Sequence, residues 1–278
     1  MKTTKLVISL AACFLLQVML VTDILSQDSL RIFKYPSAKE IAVSVVAHVT
    51  ELKNGKFFYE YQLQSLPNSK QNIWTFDVEY HAPVQEIQAP TEWLGDPGYL
   101  PPPRVQWYAR DSLVEISPDS KLGGFSFLSG GIPSIEIYYV SGWVEPPVFT
   151  EENAPDSVIG DNVLENSVKG ITIGPTAPPV NFSASTWIDT LISYKHQAVS
   201  LGWIDNQGIA NSLDSKLDNA KSKLSAGDTT AAKNMLNAFV NEVEAQNGKQ
   251  LTSEAYALLK FNAEYLIDRL PEKKGEKK

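Results

Sequence analysis

The stretch from Pro175 to Leu201 reads PTAPPVNFSASTWIDTLISYKHQAVSL, and the rhythm of apolar side chains differs on its two sides. Upstream, apolar residues recur at every second position, as in strands with one wet face. From Trp187 onward they recur at steps of three and four, as in amphipathic helices. Thr186 and Asp189 have the spacing of a capping box, and Trp187, Leu191, Tyr194, Ala198 and Leu201 share one helical stripe. Pro175, Pro178 and Pro179 read as a semi-stiff spacer. A boundary is therefore expected between Pro175 and Phe182. Charge changes at the same place: residues 27–180 carry 10 Lys/Arg and 19 Asp/Glu, while residues 181–278 carry 12 of each. So acidic a first part argues against nucleic-acid backbones, which ask for clustered positive charge.

Working back from this boundary, Ile41, Val43, Val45, Ala47 and Val49 alternate with Ser44 and His48, and Tyr59, Tyr61 and Leu63 alternate with Glu60, Gln62 and Gln64. Trp74, Phe76, Val78 and Tyr80 alternate with Thr75, Asp77 and Glu79, and Val105, Trp107 and Ala109 with Gln106 and Arg110. Phe125 and Phe127, then Ile135, Ile137 and Tyr139, continue the series, and Val163, Val168, Ile171 and Ile173 could supply a last strand or two. Such alternation belongs to antiparallel sheets. Lys53-Asn54-Gly55-Lys56 predicts a tight turn, Pro67 to Lys70 a second, and Ala82 to Arg104 a long proline-bearing connection. Gly123-Gly124 and Gly130-Gly131 read as turn residues. The expected product is an antiparallel immunoglobulin-like β-sandwich over residues 27–180, with an acidic, proline-rich end after Trp143.

Working forward, Ile209, Leu213, Leu217, Ala220 and Leu224 form a second helical stripe. Gly227 and Asp228 are a helix stop followed by a cap; Ala232, Leu236 or Met235, Phe239, Val240 and Val243 form a third stripe. Asn247-Gly248 and Thr252 repeat the stop and the cap, Glu254 suits the first turn, and Ala255, Leu259, Ala263, Leu266 and Leu270 complete a fourth. Four short-looped helices with one apolar face each bury those faces on one another, so a small antiparallel helical bundle is expected over 181–270, followed by a charged tail at 271–278.

Ser212-Leu213, Lys216-Leu217, Ala220, Gly227-Asp228, Ala231-Ala232, Leu236, Ala238-Phe239, Val243, Ala245-Gln246, Gly248-Lys249 and Leu251-Thr252 together resemble the FIMAH domain family, found at the ends of exported bacterial proteins. The resemblance covers the last three helices. It implies an accessory module in a secreted or envelope protein and carries no catalytic residues across. Tyr256 to Phe261 departs from the family pattern by its aromatics, which implies that Phe261 or Tyr265 packs on something particular to this chain.

Lys2 and Lys5 precede an apolar run from Leu6 to Val21, followed by a polar step, the layout of a secretory signal peptide with cleavage expected after Ser26. Leu10-Ala11-Ala12-Cys13 offers a rival lipoprotein box, and an uncleaved anchor is a second rival. With cleavage after Ser26 the single Cys leaves, so the mature chain has no disulfide and no thiolate. No stable membrane span is expected in it, and the expected location is secreted, periplasmic or envelope-associated. Asn181-Phe182-Ser183 matches a glycosylation acceptor, of little weight given the bacterial source that the resemblance implies.

Chemistry is sparsely supplied. With 1 Cys and 3 His in 278 residues, a Cys-rich zinc module is excluded, and His48, His81 and His196 lack metal-ligand spacing. There is no phosphate loop and no nucleophile elbow. Glu92, Asp96, Glu145, Glu151 and Glu152 could line a cleft, but no spacing selects an acid–base pair, and Asp156 to Asp161 lacks the alternating oxygens of a calcium loop. No catalytic residue, metal site or cofactor is therefore assigned. Aromatics are the better candidates: Trp93, Tyr99, Tyr108 and Trp143, several of them beside proline or in long connections, are the expected ligand-binding residues, with Trp93 and Tyr99 outside any strand. The expected function is a non-enzymatic envelope or adhesion protein, with a polysaccharide or an envelope protein as partner. A carbohydrate-binding module and an acidic secreted hydrolase are the alternatives.

Overall fold

A computed structural model describes residues 40–98, 101–143 and 164–271. The expected signal segment with the rest of residues 1–39, Tyr99, Glu145, Glu151, Glu152, Asp156 to Asp161, Val163 and the tail from Glu272 lie outside the described residues. The named elements of the described residues are nine strands followed by four helices: β1 (Val43–Glu51), β2 (Phe57–Ser65), β3 (Thr75–Glu79), β4 (Val84–Gln88), β5 (Trp93–Pro97), β6 (Arg104–Ala109), β7 (Lys121–Ser129), β8 (Ile132–Ser141) and β9 (Val168–Thr176), then α1 (Ala184–Ser200), α2 (Gln207–Ser225), α3 (Thr229–Gln246) and α4 (Ser253–Arg269).

Two antiparallel sheets face each other, ordered β1-β2-β7-β4 and β5-β6-β3-β8-β9. The first order, and β3-β8-β9 within the second, reproduce the two sheets of an immunoglobulin domain; β6 and β5 extend the second sheet on its far side. The difference lies in connectivity, since β4 joins the first sheet before β5 and β6 are laid down. The expected sandwich and bundle are both present.

Alternation explains β1 and β2 directly. Ala47, Val49, Phe57, Tyr59, Tyr61 and Leu63 are buried while Ser44, His48, Glu60, Gln62 and Gln64 are exposed. Leu52 N–H donates to the Lys56 carbonyl at 2.8 Å and closes the predicted hairpin. Between the sheets, Phe76 stacks on Trp107 with ring centroids 5.3 Å apart, and Trp107 stacks on Phe127 at 6.2 Å. Tyr59 and Tyr61 are wholly buried, and their hydroxyls donate to the Gly131 and Ile173 carbonyls at 2.8 Å. That removes the penalty of burying a phenol, so each ring contributes its full apolar area.

Several expectations are corrected. Thr75, Asp77 and Glu79 do not form a wet face: all of β3 is buried. Asp77 accepts from Arg104 Nε at 2.8 Å and Glu79 from the Tyr139 hydroxyl, so the polar alternation encodes a buried polar layer on the outer side of the sheet. On β8 the inward face carries Tyr138 and Val140, paired with Val78 and Phe76; Ile135 and Ile137 point outward and are half-buried. The connection from Ala82 to Arg104 contains β4 and β5. β4 is an edge strand interrupted between Gln85 and Gln88, with Glu86 at φ 51°, which erases its period. Gly123-Gly124 is in β7. Tyr61 pairs with Phe125 and Gln62 with Gly123, leaving Gly124 as the extra residue of a bulge at φ 95°, a conformation that glycine adopts without steric cost.

Helix limits follow side-chain caps. Ser183, rather than Thr186, caps α1 by accepting from Thr186 N–H; Asn206, Asp228 and Thr252 cap the following helices in the same way. α1, α2 and α3 bury one face each. α4 buries two. Leu259, Ala263 and Leu266 continue the expected bundle stripe, but Glu254, Ala257, Leu258, Phe261, Asn262 and Tyr265 are buried as well. Phe261 meets Phe57 of β2 at 5.0 Å. Asn262 Nδ2 donates to the Pro133 carbonyl at 2.8 Å, and Glu254 accepts the Ala47 N–H of edge strand β1 at 2.6 Å. The departure of the aromatics from the family pattern thus has its cause in the sandwich. The helical unit is docked on the open edge beside β1 and β9, and the two share one continuous core.

Candidate functional site

At one end of the five-stranded sheet, the start of β3 lies between the ends of β6 and β8. Trp74 is fixed there by both neighbours: its N–H donates to the Ser141 carbonyl at 2.8 Å, and its own carbonyl accepts from Ala109 N–H at 3.0 Å. The indole Nε1 donates to the Ala109 carbonyl at 3.1 Å, so the ring has no free donor. Trp143, just beyond β8, meets it edge to face at 4.8 Å and 86°. Half of Trp143 remains exposed, at 51%.

The loop after β6 closes the other side. Asp111 accepts from Leu113 N–H at 2.8 Å, which folds the loop over Trp93, whose Nε1 donates to the Val114 carbonyl at 2.9 Å. The result is a cleft of about 280 Å³ lined by Trp74, Arg110, Asp111, Ser112, Glu115 and Trp143. Burial raises the Glu115 carboxyl above its ordinary range, a hydrogen bond with Asn72 opposes this, and the charge of Asp111 adds to it. Arg110 is 3.7 Å from Glu92 in an exposed pair, so the cleft is more anionic than cationic. Leu113 stands at the tip of the same loop, 91% exposed. A half-open indole, oxygen acceptors and one guanidinium suit recognition of a partly apolar, hydroxyl-bearing partner.

Of the expected ligand residues, the three that the structure describes, Trp93, Tyr108 and Trp143, do not assemble as one platform. Trp93 is corrected from a surface loop to the first residue of β5: it is buried, edge-on to Phe125 at 5.1 Å. Tyr108 is half-buried on the outer side of the second sheet, opposite Thr75 and Leu94. Trp143 does reach the cleft. Its partner Trp74 was concealed by a strand pattern that assigned it to the core, and the Arg110–Glu115 loop has no motif. The three histidines lie apart: His48 exposed on β1, His81 beside Glu136 at 3.0 Å, and His196 beside Asp214 at 3.2 Å. Ser134 donates to Glu136 as well, which puts the carboxylate between hydroxyl and imidazole; a catalytic triad needs the imidazole in the middle. Among the described residues no three His, Cys, Asp or Glu side chains are grouped to hold a metal, and no helix is long and apolar enough to cross a membrane.

Fold and site together define a β-sandwich protein with a docked helical unit and an aromatic cleft at the sandwich end. Residues 188–268 match the FIMAH domain. The match begins inside α1, so it takes in all four helices rather than the last three. An uncharacterized protein from Nocardia farcinica, whose crystal structure reveals an immunoglobulin-like fold, is similar at 10% identity and a TM-score of 0.28, covering 48% of this chain and 98% of that one. No curated protein matches the chain significantly.

Proposed function

We propose that this is an exported, envelope-associated protein that works by adhesion rather than by turnover, with the sandwich end around Trp143 as its contact surface. The observation that carries the reading is a preformed cleft lined by half-exposed Trp143, with Leu113 exposed on the loop whose neighbours Asp111, Ser112 and Glu115 line the same cleft. Apolar groups left on the surface next to an Arg and a Trp are the usual anchors of an interface. The FIMAH match supports an exported setting, because that family accompanies secreted and surface proteins. The docked helices hold the sandwich edge, leaving its far end to meet a partner.

The test is binding of the purified mature chain to isolated cell envelopes. Saturable retention that falls on Leu113→Ser with Trp143→Ala is expected. Retention unchanged in that double variant, or release of a hydrolysis product from the envelopes, would refute the reading.

A further inference from the structure

The cleft also states what kind of partner surface it fits. We propose that the Trp74–Trp143 cleft takes one uncharged pyranose unit of a polysaccharide, with the sugar's C–H face on Trp143 and its hydroxyls donating to Asp111 and Glu115. This rests on the sandwich end being the contact surface.

Three observations converge. The first is size: about 280 Å³ is just under the ~300 Å³ at which pockets for drug-sized ligands begin, which leaves room for one ring and not for a folded peptide turn. The second is the ring. Trp74 Nε1 is spent on the Ala109 carbonyl and locks that indole, while Trp143 meets it at 86°, lines the cleft and stays half exposed. An aromatic face is negative and attracts the weakly positive axial C–H groups of a pyranose, without needing a charge on the ligand. The third is the sign of the lining. Asp111 and Glu115 lie in the cleft, and the guanidinium of Arg110 is already shared with Glu92. Carboxylates accept from sugar hydroxyls in charge-assisted hydrogen bonds and repel uronates and phosphorylated glycans. Residues 27–180, with 19 Asp/Glu against 10 Lys/Arg, reinforce that exclusion at longer range.

The experiment titrates the full mature chain with uncharged gluco-, manno- and galacto-hexasaccharides, an oligogalacturonate and a proline-rich peptide, following tryptophan fluorescence and calorimetry. At least one uncharged hexasaccharide is expected to bind, and Trp143→Ala to weaken it about 10- to 30-fold with unchanged circular dichroism, as for an interface anchor. Trp143→Phe, which keeps an aromatic face, is expected to recover part of the loss. Binding of the oligogalacturonate or peptide alone, no response to any uncharged sugar, or sugar binding insensitive to Trp143→Ala each overturns the proposal. If envelope retention still depends on Leu113 and Trp143 while the sugars fail, the ligand class is wrong and the adhesion reading stands. If envelope retention fails too, both fall.

Discussion

Glu254→Ala is the sharpest test of how the two units are joined. In the structure the Glu254 carboxylate, on the first turn of α4, reaches across to the Ala47 N–H at 2.6 Å, and both residues are buried. Truncation removes a charge-assisted hydrogen bond and leaves an amide without a partner in a dry site, at about 1–3 kcal/mol for the orphaned group alone. It also removes a negative charge from a helix N-terminus, for about 0.3–1 kcal/mol more. The expected total is about 1–4 kcal/mol. At roughly 2–4 °C per kcal/mol for a chain of this size, Tm should fall by about 2–16 °C. Glu254→Gln keeps an acceptor and should lose about 1 kcal/mol, because a neutral bond replaces a charge-assisted one. Urea unfolding followed by circular dichroism at 222 nm, which reports the helices, and by tryptophan fluorescence, which draws on both units, provides the measurement. Both signals should shift together. A loss below about 0.5 kcal/mol, or a shift of the helical signal with the sandwich unmoved, would refute the claim that this bond couples the units.

Other expectations follow from the same contacts. Phe261→Ala, which empties the site against Phe57, should cost about 3–5 kcal/mol and separate the two unfolding signals. Gly131→Ala should destabilise by about 1–3 kcal/mol, since its Cβ would lie 2.4 Å from Ala82 Cβ and 2.9 Å from the Thr176 carbonyl; unchanged thermal unfolding would count against the packing described. Burial pushes the Asp77 carboxyl up to about 7 although Arg104 opposes it, so the folded chain holds that proton where the unfolded chain has already released it near ~3.9. Stability from this group is therefore full below about pH 4 and declines as pH rises towards 7, and Glu136, raised by burial, acts in the same direction. Urea midpoints at pH 5 and 7.5 should fall in that order, with a smaller difference in Asp77→Asn.

What the sequence reveals depends on where each side chain's partner lies. Tyr59, Tyr61 and Leu63 are legible because β2 has one wet face, and Asp228 and Thr252 because a cap and its amide lie three residues apart. Asp77 and Glu79 mislead: polar residues at alternate positions predict water, yet their partners are Arg104 and Tyr139 on neighbouring strands. β4 escapes detection because a break in its register erases the two-residue period, and β5 because Gly95, Asp96 and Pro97 leave its short stretch no apolar alternation. Glu254 reads as an ordinary first-turn acid, its real partner being 207 residues away. At the site, composition points to Trp93, Tyr99, Tyr108 and Trp143 without ranking Trp143 first, and period alone makes Trp74 a core residue and leaves Trp93 loose; the register of β5, β6 and β8 reverses both.

The double-faced α4 bears on how such a unit can be moved between proteins. Cutting the chain at the proline cluster would look natural by its text, but the severed helices would expose Glu254, Phe261 and Asn262 to water, and the orphaned sandwich would lose the lid on β1. A graft onto a foreign host would need either a surface that recreates the footprint of Phe57, Ala47 and Pro133 or polar replacements on that side of the helix. The portable unit for engineering is therefore the whole pair, and inheritance by recombination at that seam would demand compensating changes on both sides.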